Sequence, residues 1–252
     1  MNNDFPLVSC LCLSRKRTEK LAVAVNCFRQ QTYRNKELVL LIDSRDEETK
    51  DFLSEVHDPN IRVISLDPVK RKRTLGELRN ISIRESKGKF VCTWDDDDWH
   101  HKDRLKDQVE AALRSGYRGS ILTHTIMYDQ VKCVGYISSG RGWENTVMIE
   151  REFILKNGLM YPPLNKSEDL SFVQKLKEKG LLCGVTKAQL YVYNFYGDNT
   201  WNREHFEYLF SLGRLLTEKQ SELLAKNLTL SSINNMAEEV LDSEEFYRDL
   251  IY

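Results

Sequence analysis

The chain has 252 residues, 41% of them hydrophobic and 30% charged, which suffices for one large domain or a domain with an appendage. With 37 Lys and Arg against 38 Asp and Glu, net charge makes no case for a nucleic-acid partner, and no run approaches the roughly 18 apolar residues that a membrane span needs. The opening "MNNDFPLVSCLCLSRKR" has no basic region ahead of a signal-type apolar stretch, so the expected location is cytoplasmic.

"PLVSCLCLS" (6–14) reads as a strand, and "TEKLAVAVNCFRQQ" (18–31) carries apolar residues at helical spacing with Thr18 as N-cap. "KELVLLID" (36–43) is near-continuously apolar, as a strand covered on both faces of a parallel sheet would be. A helix over 46–57, a strand over 60–67, a helix over 74–88 and a strand over 89–94 follow. This alternation predicts right-handed crossovers and a doubly wound α/β fold, with ligands beyond the carboxyl ends of the strands. Asp43, Asp67 and the run Asp95 to Asp98 all fall there.

The second half is less regular. A helix over 102–116 is stopped by Gly116, "GSILTHTIMYD" and "KCVGYISSG" read as a strand pair, and "NTVMIE" is a short strand leading into "REFILKNG". The helix over 167–180 takes Ser167 as N-cap, and "AQLYVYNFYG" (188–197) is an aromatic strand. The division expected is 1–202 as the main domain, split into halves 1–100 and 101–202, with 203–252 as a purely helical extension. In that extension Phe206, Leu209, Phe210, Leu212 and Leu216 share a broad apolar side. This side is expected to serve packing or homo-oligomer contacts, with peripheral membrane attachment as the lesser alternative. The six cysteines lack the paired spacing of a zinc site and read as reduced, buried thiols.

Four consecutive aspartates after a buried strand repel one another and call for compensation. In extended backbone Asp95 and Asp97 share one side, Asp96 and Asp98 the other. Two hard carboxylates with open positions suit Mg²⁺ or Mn²⁺ that also binds a diphosphate. A solvated acidic loop is the competing account. Glu168 and Asp169 are likewise open to two readings, as site acids or as acids placed against the dipole of a helix start. "KRKR" (70–73) is read chiefly as a solvated charged loop, with contact to a diphosphate as the alternative. Arg79 sits beside a nucleotide or pairs with the acidic run. His100 and His101 are expected to be solvent-exposed.

Several ordered segments carry a resemblance: the first strand running into "SRKR", "QQTYRNKELVLLID", "TLGELRNISIRESKGKFVCTWDDDDWHHKDRL", "GWENTVMIEREFI" and "SEDLSFVQKL". Together they resemble the family 2 glycosyltransferases, over about residues 6–200. The resemblance implies a GT-A fold and an inverting, metal-dependent sugar transfer from a nucleoside diphosphate sugar, with UDP as the expected nucleotide. The acceptor it implies is a hydroxyl of a glycan or glycoconjugate.

Matched residue by residue, Asp43 corresponds to the acid that contacts the base, with Arg79, Asp95 and Asp96 also on the nucleotide. Asp97, with Asp95, corresponds to the Mn²⁺ or Mg²⁺ ligands. Trp143, Glu144 and Glu168 fall on the acceptor side, and Asp169 corresponds to the catalytic base. Tyr196 stands where relatives often place a metal-binding His. Two other functions compete: a metal-dependent nucleotidyltransferase or phosphohydrolase, and a sugar-nucleotide-binding module without catalysis.

Overall fold

Strands that are apolar on both faces can only be satisfied by helices above and below, and the computed structural model, which describes residues 5–228, has that arrangement. β1 (Val8–Leu13), α1 (Thr18–Gln30), β2 (Lys36–Asp43), α2 (Glu47–Ser54), β3 (Ile61–Leu66), α3 (Leu75–Glu85) and β4 (Phe90–Thr93) form the alternating first half. After them come β5 (Trp99–His100), α4 (Arg104–Ser115), β6 (Gly119–Leu122), β7 (Ile126–Asp129), β8 (Val134–Ile137), β9 (Met148–Glu150) and α5 (Arg151–Lys156). α6 (Glu168–Glu178), β10 (Leu182–Val185), β11 (Tyr191–Phe195), α7 (Arg203–Leu212), β12 (Arg214–Leu215) and α8 (Glu218–Asn227) complete the described chain.

The main sheet has the order β10-β6-β9-β4-β1-β2-β3, parallel except for β9. Alternate residues feed two cores. Cys10, Cys12, Leu38, Leu40, Phe90 and Cys92 face α1 and α4, while Leu11, Val39, Leu41 and Val91 face the side that holds Ile83 of α3 and Phe172 and Leu176 of α6. The strand order reverses between β1 and β4, so their carboxyl ends open the crevice in which such sheets bind ligands. The doubly wound α/β expectation holds.

The second sheet, β12-β8-β7-β11-β5, is where sequence reading and structure part. The stretch 119–129, read as one strand, splits into β6 in the main sheet and β7 in the small one. Past Arg203 the chain is not purely helical, because β12 pairs with β8 between the two helices. Phe206, Leu209 and Phe210 pack with Met127, Trp143 and Phe195, and Leu216 lies in the larger core. Most of the apolar side is therefore used within the chain, leaving Leu212 half exposed. The remainder of the expected extension lies outside the described residues. Cys10, Cys12, Cys27 and Cys92 are buried as expected, but Cys133 is exposed and Cys183 partly so.

Helix starts also differ from expectation. Thr18 is the first helical residue of α1, and Arg17 ahead of it makes no side-chain cap, since a guanidinium only donates and cannot accept from a helix-start amide. Ser167 does stand at the start of α6, but in the left-handed region (φ 60°, ψ 16°) with no capping hydrogen bond. Asp46, by contrast, caps α2 while buried, accepting from the Thr49 amide (3.3 Å) and hydroxyl (2.9 Å) and from the Lys16 amide (2.6 Å). Burial works to raise its pKa, but these hydrogen bonds hold it below the ordinary value. Asp46→Ala should cost about 1–2 kcal/mol in denaturant unfolding. Because the folded pKa is depressed, the contribution is present above the unfolded value near 4 and lost as pH falls through the folded one. The wild-type and mutant curves should converge at low pH.

Candidate active site

The aspartate run leaves β4 at the crevice, and each carboxylate has a different environment. Asp98 is 2% exposed and accepts from the Tyr191 hydroxyl and the Asn194 amide (2.9 Å), which ties the loop to β11. Asp95 meets Arg79 at 3.3 Å. Arg17 reaches from the end of β1 to Asp97 (2.8 Å) and Asp96 (3.6 Å), and the Tyr196 hydroxyl donates to the same Asp97 oxygen as Arg17. Arginines thus supply much of the compensating charge. Burial, reinforced by Asp97, pushes Asp96 up to about 7 and raises Asp98 as well, while burial raises Asp95 in spite of Arg79.

Helix α3 joins this loop to the opposite wall. A full capping box at Thr74 and Glu77 fixes its start, and Gly76 lies so close to the chain at Pro162 that a Cβ would stand 1.9 Å from that carbonyl. Asn80 exchanges two hydrogen bonds with the Tyr161 backbone (2.8 and 2.9 Å). Arg79, one residue earlier, bridges Asp95 to Glu168 at 3.1 Å. The wall carrying Glu168 and Asp169 is thereby set across from the aspartates.

Asp169 lies in the first turn of α6, half-buried, and accepts from the Leu170 amide at 2.7 Å. It satisfies one helix-start donor and also lines a cavity of about 310 Å³ with Asp95, Asp97, Trp143 and Glu144. Glu168 is 2% exposed and its acidity is weakened by burial, though Arg79 opposes this, so it holds the wall together rather than facing a ligand freely. Trp143 is buried under the Arg141 guanidinium (4.2 Å), and Glu144 pairs with the same arginine at 3.1 Å. Trp143 Nε1 is buried with no hydrogen-bond partner.

A second cavity, about 760 Å³, adjoins the first and shares Arg17, Leu75 and Asp96 with it. Its wall includes Arg15, Arg45, Lys70, Lys72 and Arg73, so three residues of "KRKR" border a cavity where the sequence favoured a solvated loop. Arg71 instead pairs with Glu77. Asp43 also lines this cavity, clamped by Arg45 through Nε (3.1 Å) and Nη2 (3.0 Å), with Arg15 at 3.7 Å. The Arg45 hydrogen bonds hold it far below the usual carboxylate range.

Asp43, Arg79, Asp95, Asp96, Asp97, Trp143, Glu144, Glu168 and Asp169 therefore all line one or the other of two joined cavities. His100 and His101 do not follow expectation, being 1% and 2% exposed. His100 stacks on Trp94 (3.8 Å between centroids), contacts Arg104, and is held neutral chiefly by burial. Arg17 was missed. Basic residues at the carboxyl end of β1, where the fold places ligands, were its available signal.

Residues 13–151, more than half of the chain, match the family model described as Glycosyl transferase family 2. The chain belongs to that family. It is 32% identical over 80 residues to the succinoglycan biosynthesis protein ExoO of Rhizobium meliloti, an alignment covering 32% of this chain and 22% of that one. The chain spans half or less of the length of the curated relatives it matches. Its fold is similar to that of S. aureus TarS 1-349 solved in complex with UDP-GlcNAc (TM-score 0.57, 16% identity, 97% of this chain and 75% of that one). It is also similar to the mannosyltransferase PcManGT from Pyrobaculum calidifontis solved in complex with GDP-Man and Mn²⁺ (TM-score 0.55, 14% identity, 98% and 76%). The GT-A architecture is thus shown for this family member.

Proposed function

We propose that this protein moves a sugar from a nucleoside diphosphate sugar, with UDP as the nucleotide, to a hydroxyl of a glycan or glycoconjugate, with inversion at the anomeric carbon. The observation that carries the proposal is the joining of two cavities at the aspartate loop, one bordered by six basic side chains, the other by Asp95, Asp97 and Asp169. The basic cavity suits a nucleotide with its diphosphate, ending at Asp43 for the base, with Arg79 and Asp96 at the inner side. The smaller one suits the sugar and the acceptor, with Trp143 and Glu144 bordering the acceptor and Glu168 fixed behind them. The nucleotide sugars in the TarS and PcManGT complexes, and the naming of ExoO as a succinoglycan biosynthesis protein, support this reading.

Among the described residues no group of three or more His, Cys, Asp or Glu is arranged to hold a metal ion. Asp97 and Asp95 nevertheless fit Mn²⁺ or Mg²⁺ that completes its shell with diphosphate oxygens, since both are hard anionic donors that line the same cavity, although Asp96 and Asp97 form a turn rather than the extended run expected. A cation held there would stabilise charge on the departing diphosphate. Asp169 takes the proton of the acceptor hydroxyl as its oxygen attacks the anomeric carbon, so an α-linked donor gives a β-linked product. Nucleotidyl transfer would instead release a sugar phosphate from a UDP-sugar, or pyrophosphate from a nucleoside triphosphate. Analysis of the released nucleotide by chromatography tests the assignment, and release of UDP from a UDP-sugar is the expected result.

Asp43→Ala should weaken UDP binding about tenfold or more, because a hydrogen bond to a charged group is worth roughly 1.5–3 kcal/mol. The dependence on Mn²⁺ should persist. Calorimetric titration of UDP into both proteins checks it, and equal affinities would remove Asp43 from the base contact.

A further inference from the structure

Asp97 is held in a manner its role as a cation ligand does not require. Both lone pairs of its Oδ2 are taken, one by the Tyr196 hydroxyl and one by Arg17 Nη1 at 2.8 Å. Tyr196 is itself fixed. Lys20 Nζ lies 3.0 Å from its ring centroid, and its amide donates to Asn199 Oδ1 at 3.0 Å. Arg17, in contrast, is the long, partly exposed member of the group, 31% accessible, and it borders both cavities. A diphosphate running from the basic cavity to the aspartates passes this junction. A guanidinium matches a diphosphate with two parallel hydrogen bonds as well as it matches a carboxylate.

We propose that Arg17 and Tyr196 form a clasp on Asp97 that keeps the cation site weak in the free protein. The diphosphate of the donor opens it by drawing the Arg17 guanidinium off Asp97. Arg17 is then a positioning residue with two stations: a substitute for the metal charge before the donor binds, and a diphosphate contact afterwards. This ordering would keep a divalent ion from binding productively without its nucleotide. The inference rests on the proposed metal-dependent sugar transfer, in which Asp97 is a ligand.

Mn²⁺ binding followed by electron paramagnetic resonance, with the full chain and no sugar donor, tests it without reference to turnover. Arg17→Gln removes a positive charge beside the cation, so Mn²⁺ alone should bind the variant about tenfold tighter than wild type. UDP in excess EDTA should bind the same variant about tenfold weaker, from the lost charge-assisted hydrogen bonds. Tyr196→Phe, which frees one lone pair and leaves Arg17, should also tighten Mn²⁺ binding, by a smaller factor. It carries the test alone if Arg17→Gln melts well below wild type. Mn²⁺ binding that is no tighter in the well-folded variant than in wild type, including none in either, overturns the clasp. Wild type that takes up no Mn²⁺ even with saturating UDP overturns the metal reading on which the clasp depends.

Discussion

Asp169→Asn is expected to slow sugar transfer by about 10²–10⁴-fold, the usual worth of a general base, while the protein melts as wild type does and binds UDP with unchanged affinity. The stability half of this expectation comes from the local geometry. Asp169 accepts one hydrogen bond, from the Leu170 amide, and an Asn carbonyl oxygen can accept the same bond. Asn and Asp are also comparable near a helix start, so a purely structural role predicts little change in any of the three measurements. The rate half comes from what Asn lacks: it cannot take a proton from a hydroxyl. Melting, UDP titration and transfer rate on the same two preparations separate the roles. A variant that transfers within about threefold of wild type would return Asp169 to the helix start and move the base elsewhere.

Asp97→Asn is the second large effect. It should abolish detectable transfer and weaken UDP binding in the presence of Mn²⁺, because a site with few protein ligands loses a hard anionic donor. The fold should survive. The Arg17–Asp97 pair is partly solvated, with 31% and 18% of the two side chains exposed, so its loss should cost no more than about 1 kcal/mol. Excess EDTA should reproduce the mutant phenotype in wild type and add nothing to it in the variant. Full turnover by wild type in EDTA would contradict the role given to Asp97.

The first half of the fold was legible because its strands are apolar on both faces and each is followed by helical spacing. β1 to β4 and the three helices between them lie within a few residues of expectation. The small sheet was not. β5 and β12 have two residues each, too few to carry a periodic pattern. This explains the error at His100 and His101. Nothing in "WHH" announces that β5 joins β11 and tucks His100 under Trp94.

The same distinction applies at the site. Asp43 and the aspartate run could be placed because strand ends can be read locally, and Asp169 because it opens a helix. Arg17 and Tyr196 meet Asp97 across 80 and 99 positions of sequence, and only the closed fold shows that contact. The charge that answers the four aspartates was expected to be a metal ion. Pairing of Arg79 with the run, one of its two expected roles, is present in the structure, which adds Arg17 to the answer.

Sugar transfer from a nucleoside diphosphate sugar is tested by a panel of UDP-sugars incubated with the protein and Mn²⁺, scored by the nucleotide released. Donor hydrolysis can proceed in the absence of the true acceptor, so the panel does not depend on knowing it. UDP release from at least one sugar is expected, abolished by EDTA and by Asp97→Asn. Release of UMP with a sugar phosphate, or of pyrophosphate from UTP and a sugar phosphate, with no UDP from any donor, would contradict it.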